Sequence, residues 1–507
     1  MKTKKTKLGL ALISASALFV AQVVVTTTAS AWTANLSATR VIGQTNLTSG
    51  SANQGGAAAA NTLNNPIGAF EIGGKLIIAD SHNHRVLIYN SVPASDNASA
   101  DVIVGQQNMT STSANQGGAA GANTLHYPVG VYSDGTRLFV SDWGNHRVLI
   151  YNTIPTSNNA SADVVVGQQN MTSTSANQGG AVSANTLDEP MGVWASGGKL
   201  YIADLDNNRV LIFNSIPTAN NASANVVIGQ QDMTSSNPDQ GGTANVNTLE
   251  TPIWVQERDS KVFVSDYANH RVLIFNSIPT ANNASANVVI GQANMTGEAA
   301  NQGGSAAANT LNGPHAVYCD GTRLFISDYE NHRILLFNSV PTSNNSSADK
   351  VIGQASFTGT SANQGGSAAA NTFNKPYGMI LYDKYLIAAD RENNRTLLFE
   401  VGPADGLTVS PTALSYSNKK FKKTTITITA YNVNLSKKKK NWVKVRFNNK
   451  KTTIKSVQNS GDNLVVKVRL KYGKWSKKSY NLSSFKYKTS SKGAWTTKSK
   501  TDAITVQ

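Results

Sequence analysis

Short apolar runs recur along most of the chain, each bounded by Gly, Asp, Asn or Pro. In one stretch the runs occupy residues 128–132, 137–141, 147–151 and 163–167. They are rich in Val, Ile, Leu and aromatic residues, and none has the 3.6-residue spacing of an amphipathic helix. This pattern predicts four short β-strands joined by turns.

The same group of four runs is repeated with a fixed period of 62 residues. Three markers keep this period: a Gly-Gln pair, an Asp-x-x-Asn-[His/Asn]-Arg motif, and a proline before the first run. They begin at Gly43, Gly105, Gly167, Gly229, Gly291 and Gly353; at Asp80, Asp142, Asp204, Asp266, Asp328 and Asp390; and at Pro66, Pro128, Pro190, Pro252, Pro314 and Pro376. A period of this kind indicates a propeller, a solenoid or a linear array.

The two ends of the array favour a closed ring. The sixth motif is followed by a third strand, Thr396–Glu400, but no fourth strand comes after it. A matching strand, Arg40–Gln44, precedes the first complete repeat. Four strands per repeat are typical of a propeller blade, and closure removes exposed sheet edges. We therefore predict an all-β fold, a six-bladed β-propeller closed by the N-terminal strand and followed by a small β-sandwich-like domain.

The segment Asp142–Tyr151, preceded by a Pro-x-Gly-Val strand and an aliphatic strand, resembles the NHL repeat. Its His is present as His84, His146, His270 and His332 and is replaced by Asn208 and Asn394 in the other two copies. The resemblance covers roughly residues 38–400 and implies a propeller. It does not imply one function, because NHL-like propellers include binding platforms, sensor domains and a few lyases.

Each repeat carries extra sequence between its fourth strand and the next first strand, for example residues 169–187. We call these segments the inserts. In an antiparallel meander they emerge on the same side as the Asp-x-x-Asn-[His/Asn]-Arg turns. Their Asn, Gln, Gly and Ala content suits hydrogen bonding to a sugar or peptide chain. The alternative is that they are ordered structural loops that arose by internal duplication.

The Asp-x-x-Asn-[His/Asn]-Arg motif also has two interpretations. Six Asp and six Arg around a ring could bind a charged ligand. Alternatively, the Asp accepts hydrogen bonds in a tight turn and pairs with the Arg. Because the motif occurs in every repeat, we favour the structural interpretation and look for a site where the repeats differ.

Two positions do differ between the repeats. The residue after each first-strand proline is Ile67, Val129, Met191, Ile253, His315 or Tyr377, and the residue after each motif Asp is Ser81, Trp143, Leu205, Tyr267, Tyr329 or Arg391. Aromatic side chains stack on sugar rings or anchor peptides, although they equally well pack under the inserts. We therefore predict ligand-binding residues at Trp143, Tyr267, Tyr329, His315 and Tyr377.

No catalytic constellation or metal-ligand set emerges from the sequence. One His in the inner position is too few for zinc, Cys319 is the single cysteine, and no Ser-His-Asp or paired-carboxylate arrangement is evident. We expect no cofactor, and we favour a binding protein over an enzyme. The alternative is a lyase or hydrolase with a channel site around His315 and Tyr377.

The C-terminal part differs sharply in charge from the repeats before it, and we predict that it is a separate β domain. Residues 401–507 hold 24 Lys and Arg against three acidic residues, whereas residues 32–400 hold 17 against 26. Such asymmetry indicates different partners for the two parts. We predict that residues 403–507 attach to an anionic surface polymer, through Lys437, Lys438, Lys439, Lys440, Lys467, Arg469 and Lys471.

The N-terminus has the features of an export signal. Four Lys precede an apolar stretch, and Ala29-Ser30-Ala31 offers a cleavage site. The predicted domains are a signal peptide at 1–31, the propeller at 32–402 and the basic domain at 403–507. We expect a secreted or cell-surface protein with no membrane span in the mature chain, whose propeller binds a glycan or protein. RNA binding by the propeller conflicts with its negative charge and the signal.

Overall fold

A computed structural model describes residues 35–402 without a gap. Further along the chain it describes the strand segments 407–410, 413–414, 425–430, 443–447, 450–451, 453–460, 463–469, 478–487 and 496–506. The predicted export signal at 1–31 lies outside these residues.

Residues 40–400 form six sheets of four antiparallel strands, which confirms the predicted six-bladed propeller. Adjacent first strands of neighbouring blades contact one another, so these strands are innermost. The strands of blades one to five are Pro66–Ile72, Lys75–Asp80, Arg85–Tyr89 and Val102–Val104; Pro128–Ser133, Leu138–Asp142, Arg147–Tyr151 and Val164–Val166; Pro190–Ser196, Lys199–Asp204, Arg209–Phe213 and Val226–Ile228; Pro252–Arg258, Lys261–Asp266, Arg271–Phe275 and Val288–Ile290; Pro314–Cys319, Leu324–Asp328, Arg333–Phe337 and Lys350–Ile352.

Blade six is completed by the N-terminal strand, as predicted. Its first three strands are Pro376–Tyr382, Tyr385–Asp390 and Arg395–Glu400, and its fourth is Arg40–Ile42. Val41 pairs with Leu397 in this antiparallel register. The fourth strand comes from the other end of the ring, so every blade has four strands and the circle is closed.

The repeated motif forms a tight turn between the second and third strands of each blade. In four blades this turn is a short 3-10 helix: Ser81–Asn83, Trp143–Asn145, Tyr329–Asn331 and Arg391–Asn393. Each insert contains another: Ala52–Gly55, Ala114–Gly117, Ala176–Gly179, Pro238–Gly241, Ala300–Gly303 and Ala362–Gly365. Within residues 35–402 the structure has no α-helix.

The Asp and Arg of the motif form a buried ion pair that ties the turn to two inserts. In blade two, Arg147 Nε donates to Asp142 Oδ2 at 2.8 Å, and both side chains are fully buried. Arg147 Nη2 donates to the carbonyls of Gly121 and Thr124 in the preceding insert, and Nη1 donates to Met171 O in the following one. The same pair recurs in all six blades.

These contacts confirm the structural interpretation of the motif. A buried ion pair is tolerated only where its remaining donors and acceptors are satisfied, and here insert carbonyls satisfy the guanidinium. They also place the inserts and the motif turns on one side of the disc, which we call the insert face.

The described C-terminal segments form two sheets. One contains Leu407–Ser410, Thr425–Ala430, Asn463–Arg469 and Thr453–Ser460 in that order, and the other Ala413–Leu414, Thr496–Val506, Lys478–Tyr487, Val443–Phe447 and Lys450–Lys451. The small β-sandwich-like domain and its boundary at 402/403 stay predictions. Over the described part of the chain, no helix combines the length and apolarity needed to traverse a bilayer.

Candidate functional site

A cavity of about 600 Å³ opens at the centre of the insert face. Both variable positions noted in the sequence line it, in all six blades. The remaining lining residues are His82, Tyr127, Glu189, Thr251, Glu330 and Lys375. The five predicted ligand-binding residues, Trp143, Tyr267, His315, Tyr329 and Tyr377, are therefore brought together around one cavity.

Sequence reasoning missed a third variable position at this cavity, the residue immediately before each first-strand proline. It holds Asn65, Tyr127, Glu189, Thr251, Gly313 or Lys375, and four of these six line the cavity. The signal was available, because this position also varies with the 62-residue period. It brings one acidic and one basic side chain to the site.

The residue before each proline adopts left-handed backbone geometry, with φ between 51° and 59°. This region is unfavourable for residues other than glycine, so the surroundings must hold it in place. The His or Asn of the preceding blade's motif does so by accepting the backbone N–H. In five of the six cases the bonds run from Tyr127, Glu189, Thr251, Gly313 and Lys375 to His84, His146, Asn208, His270 and His332.

Asn394 completes this set by accepting the N–H of Asn65 at 2.9 Å across the ring closure. At His84, His270 and His332 the repeated His is thus a clamp between neighbouring blades, with Nδ1 unprotonated and acting as acceptor. At His146 the Asp188 carboxylate also lies 3.0 Å from Nδ1 and raises the pKa of the ring. Asn replaces the His because an amide oxygen accepts the same bond. The clamp positions the residues that line the cavity and contributes no chemistry of its own.

One wall of the cavity is aromatic and centres on His315. The rings of His315 and Tyr329 are stacked, with centroids 3.7 Å apart and an interplanar angle of 8°, and Tyr377 meets His315 edge-on at 4.1 Å. Tyr267 approaches the same ring at 5.1 Å. His315 is 5% exposed, and burial, followed by the charges of Arg391 and Lys375, holds its pKa well below the ordinary value. It is therefore a neutral part of the wall near pH 7.

The wall formed by blades two and three is aromatic and acidic. Tyr127 meets Trp143 edge-on with ring centroids 5.9 Å apart. The Trp143 side chain hydrogen-bonds the Glu189 carboxyl, whereas burial, the largest effect, and the charge of Asp206 raise the pKa of that carboxyl. The negative charge on this wall is therefore only partly compensated.

Two cationic side chains, both from blade six, lie on the far side of the ring. Arg391 Nη1 donates to the Tyr329 hydroxyl. Lys375 Nζ lies 4.9 Å from the centre of the Tyr329 ring and 3.4 Å from Glu330 Oε1. The predicted aromatic residue Tyr329 is thus held between two cations.

The amides of the inserts are largely used within the scaffold. Gln116 Nε2 donates to Asn123 O and Asn159 Oδ1, each at 2.8 Å. Asn115 and Asn145 exchange reciprocal amide bonds, which join an insert to the motif turn. These contacts support the structural interpretation of the inserts, so the variable cavity rather than the insert amides is the candidate site.

Few of the predicted polyanion-binding residues fall in the described part of the chain. Lys467 is exposed on the strand Asn463–Arg469, which also contains Arg469. Lys437, Lys438, Lys439, Lys440 and Lys471 lie outside the described residues. In the described part, no three His, Cys, Asp or Glu side chains are grouped so that they could hold a metal ion.

Among known proteins, the chain is similar to solved structures but matches neither a family model nor, at a significant level, a curated protein. Virginiamycin B lyase from Staphylococcus aureus aligns at 10% identity and a TM-score of 0.33, covering 68% of this chain and 97% of the lyase. BamB from Moraxella catarrhalis aligns at 13% identity and a TM-score of 0.32, covering 66% and 84%. At such scores these similarities carry no functional argument, and the fold assignment rests on the strand pairing.

Proposed function

We propose that this chain is an exported binding protein whose propeller takes a glycan or protein ligand in the central cavity. One observation carries this proposal: three positions that vary between otherwise similar repeats line the same cavity. The repeated residues build the ring, whereas the variable ones supply aromatic, apolar and charged groups. Such a concave, largely apolar pocket with a few polar groups is the usual form of a ligand site.

The apolar inner surface favours a protein segment over an uncharged sugar. Ile67, Val129, Met191 and Ile253 are each between 3% and 6% exposed, and a sugar hydroxyl against them would lose its hydrogen bonds to water. An apolar side chain would instead gain from burial there.

The enzymatic alternative around His315 and Tyr377 receives less support. A general base needs a pKa near the working pH and an orienting partner. His315 has a strongly lowered pKa, and its Nδ1 has no hydrogen-bond partner. Turnover that is abolished in His315→Ala while ligand binding persists would reverse this preference.

A pull-down with the purified protein, followed by identification of bound glycans or proteins, tests the cavity. Trp143→Ala and Tyr267→Ala should each reduce capture by about tenfold, because each removes a large contact surface. Tyr382→Ala is the matched control, since Tyr382 ends a first strand on the opposite side of the disc. Equal capture by all three variants would place the binding surface elsewhere and refute the proposal.

We further propose that the basic region at 403–507 attaches the protein to an anionic surface polymer. This proposal is supported by the composition of the region, which has 24 basic residues against three acidic ones. Binding of the full chain to immobilised dextran sulfate should weaken steeply between low and high salt, and replacing Lys437–Lys440 with glutamine should weaken it further at low salt. Binding that does not respond to salt would refute the electrostatic attachment.

A further inference from the structure

The central cavity carries opposite charges on opposite sides. Glu189 belongs to blade three, whereas Lys375 and Arg391 belong to blade six, and all three line the cavity. In a closed ring of six blades, blade three lies across from blade six. A ligand that fills the cavity therefore meets an acidic group at one end and basic groups at the other.

The acidic end has the features of an ammonium site. The Trp143 and Tyr127 rings adjoin Glu189, and aromatic faces and carboxylates both attract organic cations. Asp188 and Asp206 add negative charge beside Glu189. His146 offsets part of this charge, with its Nδ1 3.0 Å from Asp188 Oδ1. An ammonium group here would compensate the remaining charge.

The basic end has nitrogen atoms without partners. His315, which is 95% buried, has no hydrogen-bond partner at Nδ1. Arg391 Nε is also buried and lacks a partner. Arg391 Nε is always a donor, and leaving a buried donor unpaired is costly. A ligand oxygen would relieve that cost, and it would also pair with His315 Nδ1 in the tautomer that carries the proton there. Two carboxylates compete for the cations, at 3.4 Å from Lys375 Nζ and 3.5 Å from Arg391 Nη1, but these long, partly exposed pairs are weak.

We infer that the cavity selects a short apolar peptide with both termini free. Its ammonium group lies at Glu189 and Trp143, its carboxylate lies at Arg391 and Lys375, and its apolar side chains cover the inner surface. A cavity of about 600 Å³ is within the usual size range for small ligands, and three extended residues, about 10 Å long, are a ligand of that class. The inference rests on the proposed binding function and narrows its ligand to one class.

Calorimetry with three probes tests each end separately. The probes are trileucine with free termini, the same peptide with an acetylated amino terminus, and the same peptide with an amidated carboxyl terminus. We expect each blocked peptide to bind about tenfold more weakly than the free one, since each loses one charged contact.

Two variants then assign the ends. Glu189→Gln should weaken binding of the free peptide about tenfold but leave the affinity for the acetylated peptide unchanged. Arg391→Gln should also weaken binding of the free peptide about tenfold, but it should leave the affinity for the amidated peptide unchanged. Asp259→Asn is the control, because Asp259 is exposed on the turn after a first strand, on the opposite side of the disc.

Several outcomes would overturn the inference and separate it from the broader proposal. Equal affinity for free and blocked peptides, or a variant that weakens all three probes alike, would show that the termini are not recognised. Absence of peptide binding, together with glycan capture that depends on Trp143, would refute the peptide and leave the cavity as a binding site. Ligand capture that does not depend on Trp143 and Tyr267 would refute both the peptide inference and the proposal that the cavity is the binding site.

Discussion

His84 Nδ1 accepts the backbone N–H of Tyr127 at 3.0 Å, and so joins the motif turn of blade one to the cavity-lining residue of blade two. The bond holds Tyr127 in left-handed geometry directly before Pro128. It requires an unprotonated Nδ1, so the stability of the inter-blade contact depends on the charge of His84.

Acidification should therefore weaken the protein through His84. Burial, the largest effect, and the nearby charges of His126 and His82 lower the pKa of His84 to about 4, against about 6.5 in the unfolded chain. The unfolded state binds the proton more readily, so the free energy of unfolding falls as the pH drops from about 6.5 towards 4.

Denaturant titration of His84→Asn across this pH range checks the effect. Asn accepts the same bond at Asn208 and Asn394, so the variant should match the parent near pH 7 and be more stable than it near pH 5. His84→Ala should lose about 1–2 kcal/mol at pH 7. Identical pH profiles for the parent and His84→Asn would contradict the clamp role.

The buried pair Arg147–Asp142 should be far more important for stability than a surface pair. Arg147→Met leaves Asp142 as a buried, uncompensated charge and should cost about 3–5 kcal/mol in the free energy of unfolding. Arg137→Met is the matched control, because the Arg137–Asp134 pair at 2.9 Å is partly exposed and should cost under about 1 kcal/mol. Equal costs in urea unfolding would show that the network is not fully buried in solution.

Ring closure predicts strong sensitivity at the N-terminal strand. Val41 is fully buried and pairs with Leu397, so Val41→Asp would bury an unpaired carboxylate and cost several kcal/mol. Ser37→Asp, at an exposed position four residues earlier, should cost under about 1 kcal/mol. If thermal unfolding shows both variants to be equally stable, the N-terminal strand does not close the ring.

Gly130 should tolerate no side chain, because the innermost strands of neighbouring blades approach closely there. A Cβ at Gly130 would lie 2.3 Å from the backbone oxygen of Met191, so Gly130→Ala should destabilise the protein by about 1–3 kcal/mol. Gly118→Ala, whose Cβ would have its nearest neighbour at 3.9 Å, is the control and should be nearly neutral. Comparable melting temperatures for the two variants would argue against this close approach.

The placement of the predicted site residues shows where sequence reasoning succeeds. Trp143 and Tyr329 were predicted from a position that varies while its neighbours repeat, and both line the cavity. Glu189 was missed because the two variable positions used for the prediction follow the proline and the motif Asp, whereas Glu189 precedes a proline. That residue reaches the cavity through its left-handed backbone, which the sequence alone does not reveal.

The sequence by itself determined the number of blades, the strands and the closure, because the 62-residue period and the Asp-to-Arg spacing are local properties of the chain. The tertiary structure alone decided that His84 clamps the next blade and that Glu189 faces Arg391 across a cavity. These relations join residues from different repeats, and they arise only when the ring closes and fixes the direction of each side chain.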